Sequence, residues 1–240
     1  MCFTVNVNLI KEELEKRYGS TFLDPDKYRP SYYYHAYALP ELPAICSDDP
    51  DRIKLLKWGL IPSWVSDYDS AQEIRYKTFN ARSESIDKKP SFSKSFSTRR
   101  CIVPVRGFYE WQHRGAIKVP WFIARADDDI MSLAGLWSEW VETVTGEVSG
   151  TFTIITTDAN DKMAEIHNSK KRMPVIIEPG SEAEWLNLNT PVEEIFSLMK
   201  PYPSDIIKAY TISNLISRKD ADRNSPEIIR PFSWDSGTLF

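Results

Sequence analysis

Apolar and polar residues alternate with period two through FTVNV (residues 3–7), which predicts a first strand. The period then lengthens. In LIKEELEKRYG (9–19) acids lead, Asn8 stands ahead of them and Gly19 closes the run, so a helix capped by Asn8 is expected. SYYYHAYAL (31–39) and IKLLKWGLIP (53–62) read as strands, and SFSKSF (91–96) as a short helix after Pro90. RCIVPVRGFYEW (100–111) reads as strand, corner, strand. VPWFIARA (119–126) and IMSLAGLW (130–137) flank an acidic turn and predict a hairpin. GTFTIITT (150–157) is a buried strand, and DANDKMAEIHN (158–168) a helix with Asp158 as its cap. RMPVIIE (172–178) is a strand, SEAEWLNL (181–188) and PVEEIFSLM (191–199) are helices, and IKAYTIS (207–213) is the last strand.

Strands dominate, and single helices do not separate them. The pattern predicts an α+β fold with a mainly antiparallel, barrel-like β-sheet and peripheral helices. Sixteen Pro against nine Gly, no repeat and no linker place the 240 residues in one domain of short elements joined by tight corners.

Composition changes this picture little. A 42% hydrophobic, 27% charged chain has the make-up of a soluble globular protein. A net charge of −4 gives no general affinity for nucleic acid, so any such binding must come from local patches. There are two: residues 88–100, with five Lys/Arg and no acid, and Lys170-Lys171-Arg172. Eight Trp and eleven Tyr exceed what a core needs and point to stacking surfaces. With no helix-turn-helix pattern, single-stranded DNA fits better than duplex. Three cysteines without CxxC spacing argue against a disulfide framework or zinc site. No signal peptide or apolar run of bilayer length is present, so the expected setting is the cytoplasm.

Candidate chemistry begins at Cys2. Methionine aminopeptidases remove Met1 before a small residue, which would leave an amine and a thiol on one carbon. Such a 1,2-aminothiol closes on an aldehyde to a thiazolidine, and an α-amine of pKa about 7.7–8.0 is partly neutral at pH 7. Against this stands a plain buried strand cysteine, which is how Cys46 and Cys101 read. Glu110, in GFYEW, lies beside Tyr109 and Trp111; partial desolvation would raise its pKa and suit it to acid/base work. Asn80 and Arg82, in NARSE, offer an uncharged donor/acceptor and a cation for phosphate. His167 ends a helix just ahead of a cationic run. His35 reads as a satisfied sheet histidine and His113 as a turn residue.

These motifs occur in order: Met-Cys, WGLIPSW (58–64), NARSE (80–84), RRCIVPVRGFYEW (99–111), LAGLW (133–137), TTDAN (156–160) and His167 followed by RMPVI (172–176). Together they resemble the SRAP (SOS response associated peptidase) family. The resemblance implies one SRAP domain over 2–217, with 218–240 packed on it or frayed. It implies trapping of abasic sites in single-stranded DNA as a thiazolidine on Cys2, within the DNA damage response. It implies Asn80 holding the cysteine end, Glu110 as acid/base and His167 opening the sugar, with autoproteolytic peptidase and lyase activities possible at the same site. Arg82, Trp111, Thr156, Trp58, Pro62 and Trp64 match DNA-contacting positions, and Lys170, Lys171 and Arg172 supply further charge. No cofactor or metal is called for. The expected state is a monomer, in the cytoplasm and nucleoid-associated when on DNA.

Two departures stand out. Many relatives carry Gly-Arg after the cysteine, where this chain has Phe3 and Thr4. The step from His167 to RMP is longer than usual and adds Lys170 and Lys171, an expected replacement for the missing charge. Two other readings stay open on the residues alone: an N-terminal-nucleophile amidohydrolase or peptidase using Cys2, and a module that binds single-stranded DNA without a covalent bond.

Overall fold

The computed structural model describes residues 2–234. Its strands are β1 (Thr4–Val7), β2 (Thr21–Phe22), β3 (Ser31–His35), β4 (Glu41–Cys46), β5 (Asp49–Trp58), β6 (Asn80–Arg82) and β7 (Arg100–Val105). Then come β8 (Gly107–Arg114), β9 (Ile117–Arg125), β10 (Met131–Val141), β11 (Val148–Asp158), β12 (Arg172–Pro174), β13 (Ile176–Ile177) and β14 (Ile207–Thr211). The helices are α1 (Lys11–Tyr18), α2 (Tyr68–Arg75), α3 (Ser93–Thr98), α4 (Asp161–Ile166), α5 (Glu182–Leu186) and α6 (Val192–Leu198).

Five strands close on themselves. The order β5-β4-β7-β10-β11 is antiparallel throughout, and a parallel pairing of β11 with β5, Phe152 opposite Trp58, joins the ends. Closure removes the edges of a sheet that is apolar on its inner face. Cys101, Ile102, Val103, Leu133, Leu136, Phe152 and Ile154 on its strands are all fully buried, so the barrel is covered on its outer face as well as filled within. The expected α+β fold with a barrel-like, mainly antiparallel sheet is what forms.

A second sheet, β14-β9-β8-β1-β3, lies beside the barrel, and the chain crosses from β7 into it at a sharp corner. β8 opens on Gly107, where a Cβ would come within 2.4 Å of the Ile123 carbonyl oxygen. Only glycine fits so close an approach of two backbones. This corner carries the chain from the barrel into the strand that holds Glu110.

Several local expectations are corrected. β9 and β10 do not form a hairpin: β9 pairs with β8 and β14, while β10 pairs with β7 and β11. Residues Met131–Leu136 are buried throughout, which a strand inside the barrel satisfies and a two-stranded hairpin does not. Asn8 does not cap α1. Ile10 holds the N-cap position without a side-chain bond, and the Asn8 N–H turns back to Asn6 Oδ1. Gly19 does close α1, in the left-handed conformation (φ 67°). Asp158 ends β11, and Asn160 caps α4 by accepting from the Met163 N–H. RMPVIIE breaks at Val175 into β12 on β11 and β13 on β10. β4 and α2 are additions to the expected elements; β4 contains Pro43, which lacks the N–H that a strand pattern assumes.

Residues 218–234 lie against the second sheet. Pro231 bridges to Ile212, the Trp234 Nε1–H donates to the Ile212 carbonyl (2.8 Å), and Ile228 is fully buried. No helix among the described residues is long and apolar enough to cross a membrane.

Candidate functional site

β1 lies between β3 and β8, so its start is fixed from both sides. Val5 sits opposite Phe108 and Asn6 opposite Gly107; extending that register two residues brings Phe3 level with Glu110. Tyr109, fully buried, bolts the three strands together. Its hydroxyl donates to the Tyr32 carbonyl (2.6 Å) and accepts from Asn6 Nδ2 (3.3 Å). Because strand neighbours alternate faces, anchoring Tyr109 on one side aims Glu110 to the other.

Four sequence-expected residues meet there. Cys2 is a free, fully buried thiol, and its carbonyl accepts a 2.9 Å hydrogen bond from Asn80 Nδ2. Asn80 is placed by β6, which pairs parallel to β11 with Asn80 opposite Ile154. Glu110 is 5% exposed, and His167 Nε2 stands 3.9 Å from its Oε2. His167 follows the last residue of α4, and its Nδ1 bonds the Arg172 carbonyl at 2.8 Å. The Arg172 N–H also reaches Nδ1, at 3.3 Å; the shorter contact to the carbonyl, which only accepts, favours the neutral tautomer with its proton on Nδ1 and Nε2 facing Glu110 as a base. Met1, whose removal the sequence reading requires, lies outside the described residues.

Burial sets the charge states. Desolvation raises the Glu110 carboxyl to about 7, so it is protonated about half the time at neutral pH. Desolvation lowers His167 below its ordinary value, keeping the ring neutral. The Cys2 thiol is pushed well up, first by burial and then by the Glu110 charge, so it needs a base beside it to become a thiolate. The site opens into a cavity of about 360 Å³ lined by Phe3, Glu110, Trp111, His113, Lys118, His167, Ser169 and Lys170.

Other expected contacts divide. Arg82, Trp64, Lys170 and Lys171 are exposed, and Trp111 is half-buried on the cavity wall with its Nε1–H on Ser217 Oγ (3.1 Å). Lys171 adopts φ 50°, a turn conformation that follows His167. Trp58, Pro62, Thr156 and Arg172 are buried and cannot meet DNA in this structure. Trp58 is fully enclosed, stacked 5.8 Å from Phe152, and donates to the Phe79 carbonyl. Thr156 lies on β11 between β6 and β12, its hydroxyl turned to the Ala81 carbonyl. Arg172 is occupied by Glu84, Asp158 (2.7 Å) and the Thr156 carbonyl (2.8 Å). It acts on the site through its own backbone, which holds His167. In the basic run 88–100, Arg100 is likewise internal, donating to the carbonyls of Phe96, Trp185 and Asn187.

His113 is a strand residue, not a turn residue, and pairs across β8–β9 with Lys118. Asn168 clasps the backbone of His113 through two hydrogen bonds, tying the loop after His167 to β8. Lys118 and Ser169 had no signal of their own, because only the β8–β9 pairing and this clasp bring them to the cavity. Among the described residues no group of three or more His, Cys, Asp or Glu is placed to hold a metal.

The family model described as SOS response associated peptidase (SRAP) matches residues 1–219. A relative from Bacillus subtilis named abasic site processing protein YoqW is 40% identical over 210 residues, covering 87% of this chain and 89% of that one. Abasic site processing protein HMCES from Xenopus tropicalis is 31% identical over 234 residues, covering 85% and 67%. A crystal structure of a protein from Bacteroides thetaiotaomicron superposes with a TM-score of 0.91 at 36% identity, over 97% of this chain and all of that one.

Proposed function

The chain belongs to the SOS response associated peptidase family, and on that premise we propose that it processes abasic sites in single-stranded DNA, trapping the opened sugar on Cys2. The names of its relatives support the substrate. The observation that carries the chemistry is the Glu110–His167 pair on the cavity wall, with Cys2, held at its carbonyl by Asn80, adjoining Phe3 of the same wall.

In this reading the abasic sugar enters as a closed hemiacetal. Opening it takes a proton from the C1 hydroxyl and gives one to the ring oxygen. His167 Nε2 accepts the first, and protonated Glu110 gives the second. The Cys2 amine, freed by loss of Met1, adds to the aldehyde carbon. The added amine passes a proton to the alkoxide, the His167 imidazolium returns its proton to the Glu110 carboxylate beside it, and that proton then lets the hydroxyl leave as water, so an iminium remains. The thiol gives its proton to the Glu110 carboxylate, and sulfur bonds to the same carbon. Amine and thiol are thus joined to one carbon with loss of one water.

Asn80 holds the Cys2 carbonyl, so the residue bearing both nucleophiles is positioned at its backbone. Left open, the iminium can eliminate the β-phosphate and break the strand; closure by sulfur competes with that lyase outcome. A peptidase step, with the Cys2 thiol attacking the bond ahead of it, would use the same Glu110.

The test is a denaturing gel of protein and a single-stranded oligonucleotide with one abasic site, after intact mass shows that Met1 is gone. The expected result is a slow, denaturant-resistant band that Cys2→Ala abolishes. Its absence from protein lacking Met1 overturns the reading.

A further inference from the structure

Phe3 replaces the small residue expected after the cysteine, and it leads away from the cavity into a row of aromatic rings. Its ring centroid lies 5.7 Å from that of Tyr37 and meets Phe79 edge-on at 6.2 Å. From Tyr37 the row runs both ways with planes nearly parallel. His35 is 5.5 Å away at 30°, and Tyr33 lies 6.0 Å beyond it at 20°. On the other side Tyr76 is 6.3 Å away at 30°.

The row is built, not incidental. Tyr33 and His35 share one face of β3 because they are two residues apart. His35 Nδ1 is held 2.9 Å from Thr4 Oγ1, so the second residue that departs from the family pattern anchors the row to β1. Phe79 packs edge-on beneath both Tyr37 (5.0 Å) and Tyr76 (5.9 Å), fixing those rings to the core. Yet Tyr37 is 53% and Tyr76 48% exposed. Large rings held in place by Phe79 and about half exposed are what a stacking surface requires, since every nucleobase has a π-face.

A cation stands at one end. Arg223 lies 5.1 Å over the Tyr33 ring, and its hydrogen bonds go to the Tyr33 hydroxyl and the Arg218 carbonyl, neither of which is an anion. Phe79, beneath the row, is followed in the chain by Asn80, which holds Cys2, and by exposed Arg82. The row is therefore joined at Tyr37 to the residue after the reactive cysteine, and the cation at its Tyr33 end attracts phosphate.

We propose that the Tyr33-His35-Tyr37-Tyr76 row is a base-stacking platform for the intact nucleotides on one side of the abasic site. It rests on the single-stranded DNA reading above and adds the subsite that grips the flanking strand. Phe3 and Thr4 serve it, so this chain exchanges a phosphate contact next to Cys2 for contacts to bases.

The experiment compares the protein lacking Met1 with Tyr37→Ser/Tyr76→Ser and Tyr37→Phe/Tyr76→Phe doubles. Fluorescence anisotropy measures binding to undamaged single-stranded DNA and to an oligonucleotide of the same length with base-free spacers on one flank or the other. The denaturing gel measures trapping. Expected is a loss of about tenfold or more in affinity for undamaged DNA in the Ser double, with the Phe double close to the parent. Spacers on one flank should weaken the parent and leave the Ser double unaffected. Thermal melting of the Ser double close to the parent's separates this from misfolding. If the parent traps abasic DNA while the Ser double binds undamaged DNA as tightly as the parent, the platform is wrong and the trapping reading stands. If the parent binds undamaged DNA through the row but forms no crosslink, the platform stands and the trapping reading falls. If the parent neither binds nor traps, both fall.

Discussion

His167 Nε2 faces Glu110 Oε2 across 3.9 Å, and both side chains are less than a tenth exposed. Burial drives the pair toward carboxylic acid and neutral imidazole, not toward carboxylate and imidazolium. One proton donor and one proton acceptor thus stand side by side at neutral pH, which is what opening a hemiacetal requires.

Trapping should have a bell-shaped pH profile. The neutral Cys2 amine grows as pH rises through about 7.7–8.0, giving the acid limb. The Glu110 proton donor is lost as pH rises through about 7, giving the alkaline limb. Glu110→Gln should slow trapping by about 10²–10⁴-fold and remove the alkaline limb. Single-turnover crosslinking rates from pH 5.5 to 9 check this, and an unchanged alkaline limb in Glu110→Gln assigns it elsewhere.

Folding stability carries the same signature with a definite sign. The folded carboxyl of Glu110 holds its proton up to about 7, against an ordinary value of 4.5. Between those values the folded state binds the extra proton, so stability falls as pH rises from about 4.5 through 7. At 1.36 kcal/mol per unit the full effect is at most about 3 kcal/mol. Urea midpoints across that window should decline in the parent, and the decline should be shallower in Glu110→Gln.

Asn80 separates positioning from simple polarity. Asn80→Ala removes the donor to the Cys2 carbonyl and should cost about 1 kcal/mol of stability together with a lower trapping rate. Asn80→Asp keeps the shape but sets a carboxylate against that carbonyl, and should slow trapping more than Ala does. Equal rates in Asp and Ala would show that the bond does not position Cys2.

The cationic triplet should divide in salt titrations. Lys170 and Lys171 are exposed, so Lys170→Ala with Lys171→Ala should lower the slope of log affinity against log salt by about 0.7 per lysine that meets a phosphate. Arg172→Ala should leave the slope alone and lower the melting temperature, because it strands Glu84, Asp158 and the Thr156 carbonyl. A changed slope in Arg172→Ala would return that residue to the DNA surface.

Period-two alternation revealed β1 and β8 but not β6, which places Asn80, and Cys2, Asn80, Glu110 and His167 took their expected roles from the ordered motifs, since residue chemistry alone left each of them open. What stayed hidden was which strand meets which. An acidic turn between two apolar runs satisfies the local rule for a hairpin, yet β9 and β10 take partners in different sheets. Motif position also does not tell which way a side chain points. Thr156 lies on a strand flanked by both β6 and β12, and Trp58 sits where β5 meets β11, so both are enclosed by pairings that no short window of sequence contains. Lys118 reaches the cavity by the same kind of pairing, opposite His113.

The barrel closes through pairings of β5 and β6 with β11, and His167 is held by the backbone of Arg172. Vectorial synthesis turns that wiring into an order of events. Cys2 is made before Asn80, Glu110 and His167, which emerge far later. At about 5–20 residues per second the interval is roughly 10–30 s. Throughout it Cys2 lacks the acid, the base and the clamp that the proposed chemistry uses. In that reading the first residue of the site to be made waits for the last before it can act.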